Sequence, residues 1–415
     1  MLTVSEKLEA LATLGVELNR VADLDILMER ILSEARHFVN ADAGSIYIRD
    51  RDRLNFSYTQ NATLQKRLPL GEKLIFSTFT VPINEDSISG HAAYTARATN
   101  IADVYHLDES VPYSFGRGFD QASGYRTQSM LTLPLVTNRG DVIGVLQIIN
   151  AQNENCDIVP FAEEDEKMMR HFASTATVAL ERARMTRAMI LRTIRMAEMR
   201  DPKETGAHAN RVGSYAVEIY EHWARKQGMG DKDIDAKRDV FRMAAMLHDV
   251  GKVAISDTIL KKPGRFTPEE YEVMKQHSMF GARLFLDRQS EFDDAAQNVA
   301  LNHHERWDGK GYPGHIDVAT GEPLAERADE NGCPLGKAGE EIPVFGRIVA
   351  IADVFDALCS RRVYKPAWEE SEALSVMEEG RGSQFDPDLI DVFFSILDLI
   401  RSIRDRYPDL PDPEK

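Results

Sequence analysis

The sequence predicts a multidomain chain: an α+β domain, with an antiparallel sheet flanked by helices, joined by a long helix to an all-α domain. Three observations carry this. Strand-like runs and turn signals fill residues 43–150. Residues 163–200 contain neither Gly nor Pro. Beyond Asp201-Pro202 the pattern is helical to about residue 402, apart from a stretch at 309–343 rich in Gly, Pro and acids. The length of 415 residues suits two or three domains at about 150 residues each. With 43% apolar and 28% charged residues, the composition is that of a globular protein, not a disordered one.

In chain order, Val4, Leu8, Leu11, Gly15, Leu18 and Ala22 form a helical stripe within an N-terminal helix (1–24). A second helix puts Leu27, Ile31, Ala35 and Phe38 on one face. Two strand-like runs follow, 43–50 and 53–60, around a short charged turn. A helix is expected to start at Ser87, and residues 129–137 and 141–150 read as a hairpin closed around Asn138–Gly140. The segment 163–200 is rich in Ala, Met, Arg and Glu, all good helix formers. Its first half is expected to pack on the preceding domain. Its second half is expected to lack a surface within the chain, which points to a homodimer. Residues 403–415 read as a frayed tail.

Charge and cysteine usage exclude several classes. A net charge of −17 argues against binding a nucleic-acid polymer, which needs a basic face. The three cysteines, Cys156, Cys333 and Cys359, show no CxxC spacing and no disulfide framework. No apolar run of about 18 residues suggests a membrane span. The mixed-charge Met1–Ala22 segment lacks a small-residue cleavage site, so the cytoplasm is the expected compartment.

Histidines carry the chemical signal. Of eleven, seven lie beyond residue 200: His208, His222, His248, His277, His303, His304 and His315. His248-Asp249 sits in AAMLHDVGK, and His303-His304 sits in ALNHHERWDGKGYP. Glu204 and His208 are four apart; Asp353 and Asp356 are three apart in RIVAIADVFDAL. Either spacing places its pair on one helix face. His277 is expected on a helix opened by the capping box Thr267-Pro268-Glu269-Glu270. A single histidine on an apolar helix is ordinarily a hydrogen-bonded core residue. Several imidazoles and carboxylates in apolar surroundings are another matter, because each unpaired buried charge costs several kcal/mol. A cluster of cations removes that penalty. A mixed His/carboxylate set without thiolates suits iron, manganese or catalytic zinc, not a structural zinc site.

These motifs, with RDPKETGAHANRV, ILKKPGRFT, IADVFDALCSRRVYK and SQFDPDLI, resemble the HD-GYP branch of the HD metal-dependent phosphohydrolases over residues 201–402. The resemblance implies an all-α domain that hydrolyses cyclic di-GMP, to linear pGpG, GMP or both, with two or three divalent ions, usually iron or manganese. It implies Glu204, His208, His248, Asp249, His277, His303, His304 and Asp353 as ligands, Asp249 bridging two ions and Glu204 serving a third. Metals that share a water lower its pKa and make hydroxide available for in-line attack on phosphorus. Lys252 is assigned to phosphate contact or leaving-oxygen stabilisation, and Asp356 to holding Lys252 or a substrate group. Arg362 and Lys365 resemble a phosphate clamp. The GYP segment, Gly309–Pro313, is a candidate partner-protein contact, and the long polar stretch 314–341 a candidate lid. Hydrolysis of another cyclic dinucleotide such as cyclic GMP-AMP, or a non-catalytic receptor, is the alternative; a nucleotide-pool phosphatase leaves the GYP segment without a purpose.

Residues 25–183, through GYRTQSMLTLPL and DVIGVLQIIN, resemble a GAF domain. That implies a regulatory domain with a small-molecule ligand of unknown identity. Ala151 stands where an Asn-Lys cyclic-nucleotide pattern has its lysine, which argues against that ligand class.

Overall fold

The computed structural model describes residues 4–69, 74, 79–198, 206–359 and 368–408. The chain divides into two compact units, Met1–Thr186 and Arg187–Lys415.

The first unit opens with α1 (Val4–Arg20) and α2 (Leu24–Phe38). Asp23 caps α2, its carboxylate accepting from the amides of Asp25 and Ile26. The strands are β1 (Ala41–Asp50), β2 (Arg53–Asn61), β3 (Thr80–Pro82), β4 (Thr99–Ile101), β5 (Met130–Val136), β6 (Val142–Gln152) and β7 (Ile158–Val159). Between them lie the short helices α3 (Ala62–Gln65), α4 (Ile88–Thr95) and α5 (Gly118–Ser123). Their sheet order is β3-β2-β1-β6-β5-β4, with β7 also on β6, and every pairing is antiparallel. The expected hairpin is β5–β6, and Ser87 caps α4 through the amide of Gly90.

Alternation along the strands gives the sheet two apolar faces. Ile46, Leu133, Leu146 and Ile148 pack with Leu27 and Ile31 of α2 and with Phe172, Ala176 and Leu180 of the long helix α6 (Glu163–Glu198). Tyr47, Phe56 and Val145 form a separate cluster. A register shift between Ile46 and Tyr47 brings Tyr47 opposite Phe56.

The second unit is helical: α7 (Gly206–Lys226), α8 (Asp231–Met246), α9 (Asp257–Leu260), α10 (Pro268–Lys275), α11 (His277–Arg283), α12 (Glu291–Asn302), α13 (Val344–Cys359), α14 (Glu370–Glu379), α15 (Pro387–Ser395) and α16 (Leu397–Arg406). Its core joins Tyr215 and Tyr220 of α7, Phe241 of α8, Val299 of α12, Phe355 of α13 and Phe393 of α15. Phe241 stacks on Phe345 with centroids 4.0 Å apart.

Two expectations change here. The second half of α6 does have an intrachain surface: Ile190, Leu191 and Ile194 pack with Ala209, Met246, Leu247 and Val250. And α10 ends at Lys275, so His277 opens the next helix, α11. The cause is local. The His277 ring donates to the carbonyl of Met274, and the Ser278 hydroxyl donates to that of Lys275. These side chains satisfy carbonyls that end the α10 ladder.

Candidate metal centre

Five segments bring the centre together. His208 lies at the start of α7. His248 and Asp249 occupy the turn between α8 and a 3-10 segment, Val250–Ala254. His277 opens α11, His303 and His304 follow α12, and Asp353 lies on α13. Gly251 allows the approach. A Cβ there would collide with the carbonyl oxygen of His277 and the amide of Gly281, so only glycine lets the Asp249 turn sit against α11.

The donor atoms fall into two groups, each with all its atoms within 4.8 Å of one another: Asp249, His277, His303 and His304, and His208, His248 and Asp353. Asp249 faces both. Its Oδ1 lies 3.1 Å from His277 Nε2 and 3.5 Å from His303 Nε2, while its Oδ2 lies 3.3 Å from His248 Nε2. Asp353 Oδ1 lies 3.6 Å from His208 Nε2 and 3.7 Å from His248 Nε2.

The second ring nitrogens fix the tautomers. Nδ1 of His248 donates to the Ala245 carbonyl (2.9 Å), that of His277 to Met274 (2.7 Å) and that of His303 to Ala300 (3.0 Å). A carbonyl only accepts, so each Nδ1 carries a proton and Nε2 is left as the atom that faces the cluster. The Nε2 atoms of His277 and His303 then face each other at 3.4 Å. His248 Nε2 and Asp249 Oδ1 are buried without a hydrogen-bond partner. Lone pairs facing lone pairs in a buried site repel, and a cation between them reverses the sign. The donor set therefore fits divalent metal.

Burial lowers His248, but Asp249 and Asp353 outweigh it and raise that imidazole well above its ordinary value. Burial holds His303 below its ordinary value and His304 well below it, so both stay neutral donors. Burial pushes the other way on Asp249, but Lys252 and His248 outweigh it and hold the carboxyl well below the usual range. Asp353 is likewise lowered against its burial, by His248 and His208.

The remaining sequence-predicted residues separate. Lys252 is at the centre, its Nζ 2.7 Å from Asp249 Oδ2. Asp356 is 1% exposed, and its carboxylate accepts from His208 Nδ1 (2.8 Å) and from Arg211 Nε and Nη2 (2.6 and 2.9 Å). Buried and turned to His208, it is placed to orient that ring. Glu204, Arg362 and Lys365 lie outside the described residues.

Three participants were not singled out from the sequence. Arg211, one turn beyond His208, neutralises Asp356. Tyr312 stacks on His304 with centroids 4.8 Å apart at 29°. Glu305, 3% exposed, accepts from the amides of Gly314 (2.6 Å) and Lys337 (3.3 Å). Lys337 Nζ in turn donates to Asn302. The candidate lid is thus fastened at Lys337 to the end of α12, beside the histidine pair. Adjacency to His303-His304 was the available signal for Glu305.

The all-α unit thus encloses a histidine–carboxylate cluster whose donors suit metal ions. Residues 205–358 match the HD domain family and residues 23–180 the GAF domain family. The chain carries a GAF domain followed by an HD domain. It is 33% identical over 288 residues to a cyclic di-GMP phosphodiesterase of Vibrio cholerae, covering 68% of this chain and 50% of that protein. It is 39% identical over 212 residues to a cyclic di-GMP phosphodiesterase of Thermotoga maritima (51% and 49%), and 34% identical over 207 residues to the 3'3'-cGAMP-specific phosphodiesterase 2 of Vibrio cholerae (50% and 34%). The chain spans about half the length, or less, of these relatives.

Proposed function

We propose that the chain hydrolyses the phosphodiester bonds of cyclic di-GMP, to linear pGpG, GMP or both, under regulation by its GAF domain. The observation that supports this best is Asp249: one buried carboxylate faces both donor groups, as a bridge between two ions requires. His208, His248, Asp249, His277, His303, His304 and Asp353 are the proposed ligands, with Glu204 as ligand to a third ion. Iron or manganese is the proposed metal, because the donors are imidazoles and carboxylates without thiolate. Bound there, such ions supply positive charge to phosphate oxygens and acidify water.

The chain's own residues do the rest. Lys252, held beside Asp249, offers a cation to a phosphate oxygen or to the leaving oxygen. Asp356 and Arg211 fix the His208 ring. Glu305 and Tyr312 hold the segment after the histidine pair against the site. Arg362 and Lys365 are the proposed phosphate clamp, following α13 in sequence. Such local cations matter in a chain of net charge −17, whose long-range field repels an anionic dinucleotide.

The test is anaerobic purification of the full chain, metal analysis and identification of products from cyclic di-GMP. Wild-type protein is expected to retain at least two ions and hydrolyse the substrate. Asp249→Ala is expected to lose both properties, and full activity in that variant would overturn the reading. Similarity to a 3'3'-cGAMP-specific relative favours cyclic GMP-AMP as a second substrate. Side-by-side turnover of the two dinucleotides decides between them.

We also propose a homodimer through α6, whose Val178, Met185 and Met189 stand exposed at spacings of seven and four. A sensor at 25–183, a linker helix at 163–200 and a hydrolase at 201–402 are the proposed boundaries, with partner-protein contact at the GYP loop. No described helix is long and apolar enough to cross a membrane. The free state of Cys156, Cys333 and Cys359 suits a reducing compartment, so the cytoplasm is the proposed location.

A further inference from the structure

The stretch 314–341 reads from sequence as a lid, but its contacts are those of a clamp. It folds as two short hairpins. In the first, Ile316 pairs with Pro323. The Asp317 carboxylate accepts from the amide and hydroxyl of Thr320, and its carbonyl accepts from the amide of Gly321. In the second, Ala328 pairs with Pro334, and the Asp329 carboxylate accepts from the amides of Asn331 and Cys333. The neck is tied by backbone bonds: the amide of His315 donates to the Leu335 carbonyl (2.9 Å), and that of Leu324 to the His315 carbonyl (2.9 Å).

The two hairpins differ in what they touch. Residues 329–333, the tip of the second, are all exposed. The first is packed. Its Ile316 and Val318 lie on Ala282 of α11 and on Ala300 and Leu301 of α12. Arg283 Nε donates to the Val318 carbonyl at 2.8 Å. Gly321, at a φ of +79°, runs so close to α11 that a Cβ there would stand 2.7 Å from the Met279 sulfur. Met279, Ala282 and Arg283 are spaced three and four apart, so the hairpin grips one face of the helix.

That helix needs support. α11 has seven residues, and helices shorter than about 12–15 residues are marginal on their own. By contrast His208 and Asp353 sit on helices of 21 and 16 residues. The first residue of α11 is His277, and Leu301 of α12 lies just before His303. The hairpin therefore spans the two helices whose ends bring His277 Nε2 and His303 Nε2 to 3.4 Å. The Gly251 turn fixes α11 at His277 and Gly281, and the hairpin fixes it at the three residues above.

We propose that the 316–323 hairpin is a fixed brace that clamps α11 to α12 and so positions His277 against His303, with Ile316, Val318 and Arg283 as positioning residues. The consequence for metal rests on the reading of these histidines as ligands; the ordering of α11 does not. A brace lowers the ordering cost that an ion would otherwise meet on binding. A lid would leave ion binding alone and change only substrate access.

The experiment uses the full chain and three variants. Ile316→Ser combined with Val318→Ser removes the apolar grip, Arg283→Met removes the donor to Val318, and an Asn-Gly turn in place of residues 316–334 joins His315 to Leu335 without the hairpins. Glu330→Lys, at the exposed tip, is the control. Amide exchange is followed by mass spectrometry in metal-free protein, and manganese affinity by competition with a metal-binding dye. Exchange across 277–283 is expected to quicken at least about tenfold in the serine and Asn-Gly variants, and less in Arg283→Met, while 206–226 keeps its wild-type rate. Manganese should bind at least about tenfold more weakly to the serine and Asn-Gly variants, with Glu330→Lys unchanged in both measurements. Wild-type exchange across 277–283 in the folded variants overturns the brace, as does equal acceleration across 206–226. So does wild-type manganese affinity, above all if the KM for cyclic di-GMP moves instead. A wild-type chain that binds no manganese would sink the metal reading, and the exchange rates would still decide on the brace.

Discussion

The candidate metal centre and the cavity of the first unit, about 260 Å³ and lined by Tyr47, Phe56, Phe79 and Asp120, both bury polar side chains, but they differ in what those side chains face. At the metal centre, His248 Nε2 and Asp249 Oδ1 have no hydrogen-bond partner, and two imidazole lone pairs meet at 3.4 Å. In the cavity, the Asp120 carboxylate has three donors of its own. A site that is electrostatically incomplete specifies its ligand by charge. A site whose carboxylate is already satisfied specifies it by shape. The difference also predicts how far each unit depends on its ligand.

The largest expected effect follows directly. Chelating the ions leaves the facing lone pairs uncompensated, so the HD unit loses the binding free energy, about 4 kcal/mol for an ion present at 1,000 times its Kd. Differential scanning calorimetry is expected to show the transition of the second unit falling by several degrees on chelation. The transition of the first unit should stay in place. Equal shifts in both would break the contrast between the two sites.

Asp356→Asn probes the centre more finely. Asparagine can still accept from His208 Nδ1, but the charge opposite Arg211 is gone. Altered support of a ligating histidine typically costs about 10–100-fold in metal affinity or activity. Competition with a metal-binding dye should read that loss in protein whose far-ultraviolet spectrum is unchanged. If metal affinity holds while a substrate KM rises, Asp356 contacts substrate after all.

Much of the centre was legible because local sequence fixes it. HDVGK ends an apolar helix in a turn, HH follows another, and Asp353 sits on the inner face of a third. Each of these places its side chain by short-range rules. The role of Asp356 was not legible. An i,i+3 spacing with Asp353 says that the two share a face, but the occupant of the space between them, the His208 ring, comes from α7, 148 residues away. The sheet shows the same limit. Strand positions followed from alternation, whereas the pairing of Tyr47 with Phe56 depends on a bulge between Ile46 and Tyr47. No composition or periodicity reports a bulge, so the aromatic wall of the cavity stayed hidden.

The long helix supplies the smallest effect and a limit on the contrast. Its apolar residues were read as a stripe needing a partner, but Ile190, Leu191 and Ile194 find their contacts within the second unit. What remains for a second copy is the exposed row of Val178, Met185 and Met189, which are 46%, 61% and 56% exposed. These side chains cost little to leave in water singly, so replacing them should hardly change folding: within about 0.5 kcal/mol for Met185→Lys combined with Met189→Lys. Association is different. Two like charges set against their copies across a seam oppose pairing, and burial of two thioether side chains per chain is lost. Sedimentation velocity is expected to show the dimer constant weakened at least tenfold, with metal content unchanged. An unaltered dimer would move the interface off this helix. A loss of metal along with the dimer would mean that the two sites and the seam are one coupled system, and the separation drawn between them would fail.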